Sequence, residues 1–482
     1  MEYVVKGRKP ESVFRFFEEI SAIPRGSYNE AGIADYLVAF AKARGLEYWR
    51  DELHNVLIKA PATKGLETVP PILLQGHTDM VCEKNGDVEH DFLRDPLDLY
   101  VEDGFLRARG TTLGADNGIA VAMMLSLLDG ELAEHPAYEC LFTVAEEVGL
   151  NGAHGFDYSR IASRRMINMD SEELGVVTCG CAGGLRSDLC LTLHPEAFQG
   201  TALTVSVSGL MGGHSGENIK DGRANANKVM GRLLAALRQE GDVRIVRIEG
   251  GSKDNAIPRE CRAVLAVADA EQASECLSQI AAEIAGELAA EDRGFTVTCE
   301  VTEDEAVMSS REDTLRLIAL LACAANGVQE MSHNVQGLVE YSRNLGVIRT
   351  ENDCVSVVFS SRSAIESQLD ASIRELDAWA ALIGCTVRHY SRYPGWAFAP
   401  HSFLRDAYLQ AYRKVVGKDA SVNVIHAGLE CGIIYSKLPD MDIISIGPTM
   451  HNIHSPNEAL DLASVETFWK TVEQLIRDLS QA

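Results

Sequence analysis

The chain has 482 residues, 46% hydrophobic and 24% charged, enough for two or three domains with sizeable cores. Its 44 Lys and Arg against 70 Asp and Glu leave a net charge of −26, which argues against nucleic acid and anionic membrane as partners. No apolar run reaches the roughly 18 residues of a membrane span, and MEYVVKGRKPESVFRFFEEI lacks the apolar core and cleavage site of a signal peptide, so neither is expected. The twelve cysteines are dispersed, with no CxxC pair, the pattern of reduced thiols in a cytosolic protein.

Helical periodicity runs through PESVFRFFEEISAI and NEAGIADYLVAFAKARG, and strand-like runs follow at NVLIKA and PPILLQG. A helix starts near Asp116, and the strands ECLFTVA and RMINMD come next. This alternation predicts an α/β domain with a mostly parallel sheet. From about residue 186 the pattern changes: strand TALTVSVSG, helix ANANKVMGRLLAALRQ, strands VRIVRIEGG and CRAVLAVA, a helix from Glu271, and strand GFTVTCEVT. That order is βαββαβ. A similar series follows up to TVRHYSRY, so the inserted α+β domain reads as two related βαββαβ-like halves. After Pro400 the α/β pattern returns, with a strand at MDIISIG and a closing helix. The expected organisation is therefore a first domain split between residues 1–185 and 396–482, with a lid inserted at 186–395.

Several predicted strands run out into acidic or imidazole side chains: His77 and Asp79 in ILLQGHTDM, Glu146 and Glu147 in LFTVAEEVG, and Asp170 in MINMDSEE. Asp116 in GTTLGADNG and His454 in IGPTMHNIHSPNE extend the set. Hard oxygen donors with a few imidazoles and no thiolates suit a pair of divalent metals that activate water. His77 and Asp79, two apart on a strand end, point to one face, so Asp79 is placed to hold the His77 ring. Glu146 and Glu147 are adjacent and cannot both point the same way. That suits one ligand and one free general base, although spacing does not say which is which.

At these residues the chain resembles the M20 family of metallopeptidases: GHTDM, GADNG, AEEVG, NMDSEE and HSPNE occur in the family's order over essentially the whole length. The resemblance implies a catalytic domain of the zinc-exopeptidase type and two divalent cations, zinc first, with cobalt or manganese able to serve. It implies that Asp116 bridges the two, that His77 and Asp170 complete one site, and that Glu147 and His454 complete the other. Asp79 would orient His77, and Glu146 would be the base that moves a proton from water to the leaving amine. A non-proline cis bond is expected after Asp116. In the lid, the resemblance implies that His214 in MGGHSG stabilises the oxyanion, that Asn255 holds the substrate backbone, and that Arg362 in VFSSRS clasps a free carboxylate. Glu430 in HAGLECG would face the substrate amine. Shorter family members carry a single lid unit that pairs between subunits. Here the second half could mimic that partner within one chain, so that His214 would serve its own subunit, while a homodimer stays open.

The expected activity is hydrolysis of unblocked dipeptides, Xaa-His dipeptides included, with a small peptide as the partner. The alternative is a deacylase of the same fold acting on N-acyl amino acids. A free or a capped substrate amine discriminates the two. A retired scaffold would have lost the base or a ligand, and all are present.

Overall fold

The apolar runs between the acidic motifs become buried strands. In the computed structural model, which describes residues 3–303 and 307–481, Val56–Ala60, Ile72–His77, Tyr138–Thr143 and Arg165–Asn168 carry almost wholly buried side chains. Strands buried on both faces lose the polar–apolar alternation and read as continuous apolar runs. They belong to an eight-stranded sheet, in the order Glu47–Arg50, Val56–Ala60, Tyr138–Thr143, Ile72–His77, Arg165–Asn168, Asp442–Ser445, Val176–Cys181, Ser421–Ile425. The four central strands, from Tyr138–Thr143 to Asp442–Ser445, run parallel to their neighbours; the pairings outside them at Glu47–Arg50, Val56–Ala60 and Val176–Cys181 are antiparallel.

Register decides where the site forms. His77 lies opposite Thr143, Gln75 opposite Asn168, and Asn168 opposite Ser445, so the central strands end together. Loops leaving the carboxyl ends of parallel strands are where α/β sheets gather ligand-binding groups. Helix Ala115–Leu128 packs beside strand Ile72–His77 and is buried around nearly its whole circumference, as expected for a helix without a polar face. Helices Glu11–Ser21, Ala31–Arg44, Phe403–Val416 and Leu462–Leu479 contribute their apolar faces to the same core. No helix among the described residues is long and apolar enough to cross a membrane.

The chain divides into two compact units: residues 1–180, 398–424 and 429–482 form the first, and residues 181–397 with 425–428 the second. The short return at 425–428 means that His426 belongs to the second unit and Glu430 to the first. A nine-stranded sheet organises the second unit. Its first four strands, in the order Thr296–Val301, Thr201–Ser208, Cys261–Val267, Val243–Gly250, are the expected first half. The second half has an additional member. Strand Gly183–Thr192 lies between Cys354–Ser363 and Thr386–Tyr393, so the chain enters the second half, builds the first, and then returns. The helices of both halves contribute to a single apolar core. Against the expectation of reduced thiols, Cys190 and Cys354 on neighbouring strands, with Cα atoms 6.1 Å apart, are joined as a disulfide.

Candidate metal centre and substrate groups

Seven of the sequence-predicted residues converge in the first unit. His77 ends its strand with Nε2 at 3.1 Å from Asp116 Oδ1 and 3.4 Å from Asp170 Oδ1. His454 Nε2 lies 3.2 Å from Asp116 Oδ2 and 3.1 Å from Glu147 Oε1. Asp116 thus turns one oxygen toward each imidazole, and each imidazole meets a further carboxylate. Ligand atoms of His77, Asp116 and Asp170 lie within 4.8 Å of one another, and so do those of Asp116, Glu147 and His454. A third grouping, His77 with Glu146 and Glu147, meets the same limit. The first two describe the centre better, because they follow the split of the Asp116 oxygens. The peptide bond after Asp116 is cis, as the resemblance implied.

Asp79 is fully buried and binds several groups. Its Oδ1 lies 3.3 Å from His77 Nδ1 and accepts from the Glu146 amide at 3.1 Å. Its Oδ2 accepts from the Glu147 amide at 3.3 Å and from Ser27 Oγ at 2.8 Å. Burial would raise this carboxyl, but the His77 contact, the Glu146 amide and Ser27 outweigh it and hold Asp79 below the usual carboxylate range. One side chain therefore sets both the His77 ring and the turn that carries the glutamates. Glu30 Oε1 accepts from the Ala145 amide at 2.9 Å, and Ala145 sits in the left-handed region at φ 49°, a strained conformation fixed by its surroundings.

The two glutamates separate as their adjacency required. Glu147 Oε1 meets His454, whereas the Glu146 carboxylate makes no hydrogen bond among the described residues. Burial, then repulsion from Asp170, Glu430 and Glu147, keeps Glu146 well above its ordinary pKa, against the pull of His77. Burial likewise pushes Asp170 up to about 7. A cluster of carboxylates this concentrated repels itself and calls for cations, and its donors, imidazole and carboxylate, suit a borderline-to-hard divalent ion. The residues fit a dinuclear centre.

Glu430 corrects the expectation that it faces a substrate amine. It is fully buried, and its Oε2 accepts from Gln75 Nε2 at 2.6 Å and Thr143 Oγ1 at 2.7 Å. Burial raises it to about 7. Its Oε2 is committed to these two donors, while its Oε1 is buried without a hydrogen-bond partner, so the side chain is held inside the first unit and not displayed at its surface.

Sequence reasoning missed the two side chains that frame Asp116. Glu458 is buried, and its carboxylate accepts from the amides of Leu113, Gly114, Ala115 and Asp116 at 2.8–3.4 Å. Arg25, 2% exposed, donates to Thr78 O at 3.0 Å, to Asp79 O at 3.3 Å and to Gly114 O. A Cβ at either Gly114 or Gly118 would stand 2.6 Å from Arg25 Nη2, so the glycines of GADNG make room for that guanidinium. Arg25 ties the His77–Asp79 segment to the Asp116 loop, and Glu458 ties that loop to the segment bearing His454. Glu458 was legible as part of HSPNE; a lone Arg25 in AIPRGSYN carried no signal.

The second unit gathers a separate polar group. His214 pairs with Ala256 in a short antiparallel ribbon, and the Ser215 amide donates to Asn255 O at 2.9 Å, so His214 and Asn255 are adjacent. Burial, then the nearby Arg362, lowers the pKa of His214. His426, which the motif reading passed over, is held with Nε2 at 2.7 Å from Ser342 Oγ; burial followed by Arg362 and His214 lowers it to about 3. It is therefore neutral beside a cation. Arg362 Nη1 donates to Tyr393 Oη at 3.0 Å.

Residues 73–478 match the model of peptidase family M20/M25/M40. Over 480 residues, 98% of both chains, the protein is 38% identical to the cytosol non-specific dipeptidase of Escherichia coli (strain K12). Its structure is similar to that of aminoacylhistidine dipeptidase from Vibrio alginolyticus, with a TM-score of 0.92 at 37% identity, covering 98% of this chain and 97% of that one. Aminopeptidase PepT from Bacillus cereus shares the fold, with a TM-score of 0.57 at 16% identity over 98% of this chain and 99% of that one. With the family match spanning most of its length, the chain belongs to peptidase family M20/M25/M40.

Proposed function

We propose that the chain is a metal-dependent dipeptidase of the cytosol that hydrolyses unblocked dipeptides, Xaa-His dipeptides among them. The observation that carries this reading is the posture of Asp116, one oxygen toward His77 and the other toward His454, each imidazole backed by its own carboxylate. His77 and Asp170 would hold one cation, Glu147 and His454 the other, and Asp116 would join both. Zinc is assigned first, with cobalt and manganese as substitutes. The cations, once bound, would supply Lewis acidity at the scissile carbonyl and make water acidic enough to ionise near neutral pH.

The remaining steps fall to this chain's own side chains. Glu146, its carboxylate uncommitted, takes a proton from the attacking water and returns it to the leaving amine. Asp79 holds the His77 ring and, through two amides, the position of Glu146. In the second unit His214 donates to the developing oxyanion, Asn255 holds the substrate backbone, and Arg362 takes the free carboxylate. The substrate class is supported by the names of the two full-length relatives, both dipeptidases, and the compartment by the name of the Escherichia coli one.

Metal analysis with turnover of paired free and N-acetylated dipeptides tests this. Two divalent ions per chain are expected, with free dipeptides hydrolysed in preference to their acetylated forms. Faster hydrolysis of the acetylated series would establish the deacylase reading instead.

A further inference from the structure

Gly184 sits between two chemically loaded neighbours. In register it lies directly across from Arg362 on one side and from Tyr393 on the other. A Cβ at Gly184 would stand 2.4–2.5 Å from Cε1, Cζ and Oη of Tyr393. The missing side chain lets the tyrosine ring lie across the intervening strand and bring its hydroxyl to Arg362 Nη1, 3.0 Å away. Gly428 covers the same ring, since a Cβ there would meet Tyr393 Cε2 at 2.9 Å. The ring is held between two glycines, which fixes the phenol oxygen.

The hydrogen-bond count is incomplete on the donor side. Tyr393 Oη accepts from Arg362, and its own proton meets no acceptor among the described residues. Arg362 is 5% exposed, and its Nε is buried without a partner. Tyr393 is half-buried, whereas the unpaired Arg362 Nε is a buried donor, which is costly and calls for an explanation. An ionised carboxylate is acceptor-only and can take both, whereas a carboxamide brings two N–H groups that need acceptors.

We propose that Tyr393 is a specificity-determining residue, its phenol proton donating to the same substrate carboxylate that Arg362 clasps, so that the pair selects dipeptides with a free C-terminus. The proposal rests on the carboxylate-binding reading of Arg362. Tyr393→Phe keeps the ring between its glycines and removes only the hydroxyl.

The test compares kcat/KM for Ala-His with that for its C-terminal amide in the metal-loaded parent, Tyr393→Phe and Arg362→Gln. Where the amide is not turned over, its Ki is compared with the KM of Ala-His. The acid-to-amide ratio within one preparation is insensitive to the folded fraction. Tyr393→Phe should lower kcat/KM for the free dipeptide roughly 10–100-fold through KM, the scale of a charge-assisted hydrogen bond, and leave the amide within about twofold. If Arg362→Gln collapses the ratio and Tyr393→Phe leaves it within about twofold of the parent, Tyr393 plays no part in selection and only this proposal fails. If Arg362→Gln itself leaves the ratio intact, the carboxylate reading of Arg362 fails and takes the proposal with it.

Discussion

Replacing Glu146 with glutamine should lower kcat for a free dipeptide by roughly 10²–10⁴-fold while both metal ions stay bound. The substitution is nearly isosteric, so packing and the Glu146 amide bond to Asp79 persist. What disappears is the carboxylate that no described neighbour engages. Glu147, one residue on, is turned to His454 and cannot take over the task without giving up that contact. KM should change little, because the loss falls on proton transfer in the transition state and not on ground-state binding. Steady-state kinetics beside elemental analysis of the same sample checks this. Turnover within about threefold of the parent, at full metal content, would remove Glu146 from the mechanism.

Arg25→Met should produce the largest loss of stability. Arg25 is buried beneath the acidic cluster, facing Glu458, Asp79 and Asp116, and it donates to three carbonyl oxygens on two segments. Methionine keeps the apolar stem but strands those carbonyls and leaves the carboxylates without their buried counter-charge. Breaking such a site costs about 3–5 kcal/mol. At roughly 2–4 °C per kcal/mol for a body of this size, the apparent Tm should fall by about 10 °C. The scan is run with chelator present, so that ligand binding does not add to the parent's stability. Lysine should recover little of the loss, since a single ammonium does not reproduce the planar fork. A shift under 2 °C for Arg25→Met would show that the guanidinium is not what holds the two segments together.

The strand ends were legible in the sequence because burial on both faces turns Ile72–Leu74 or Met166–Ile167 into apolar runs, and the acids that follow stand out against them. The convergence of His77, Asp116, Glu147, Asp170 and His454 was legible only through the order of motifs and the resemblance they carry. Strand Gly183–Thr192 was missed for a physical reason. Its alternation of Leu185, Leu189 and Leu191 is broken by buried Ser187, whose hydroxyl meets His389 Nδ1 at 2.8 Å, and it opens on two glycines that read as a turn. Arg25 was unreadable, and Glu458, though visible in HSPNE, did not show its role, because both act on backbone atoms, Glu458 on amides more than 340 residues away, and residue patterns report faces and not backbone partners. Glu430 misled for the complementary reason: its position in HAGLECG says nothing of Gln75 and Thr143, the donors that let it be buried.

The central claim is that Asp116 stands between two cations. Anomalous scattering at the zinc edge from crystals of the zinc-loaded protein measures this most directly. The account predicts two peaks, one beside His77 and Asp170 and one beside His454 and Glu147, with an oxygen of Asp116 toward each. A single peak, or peaks out of reach of Asp116, would contradict it.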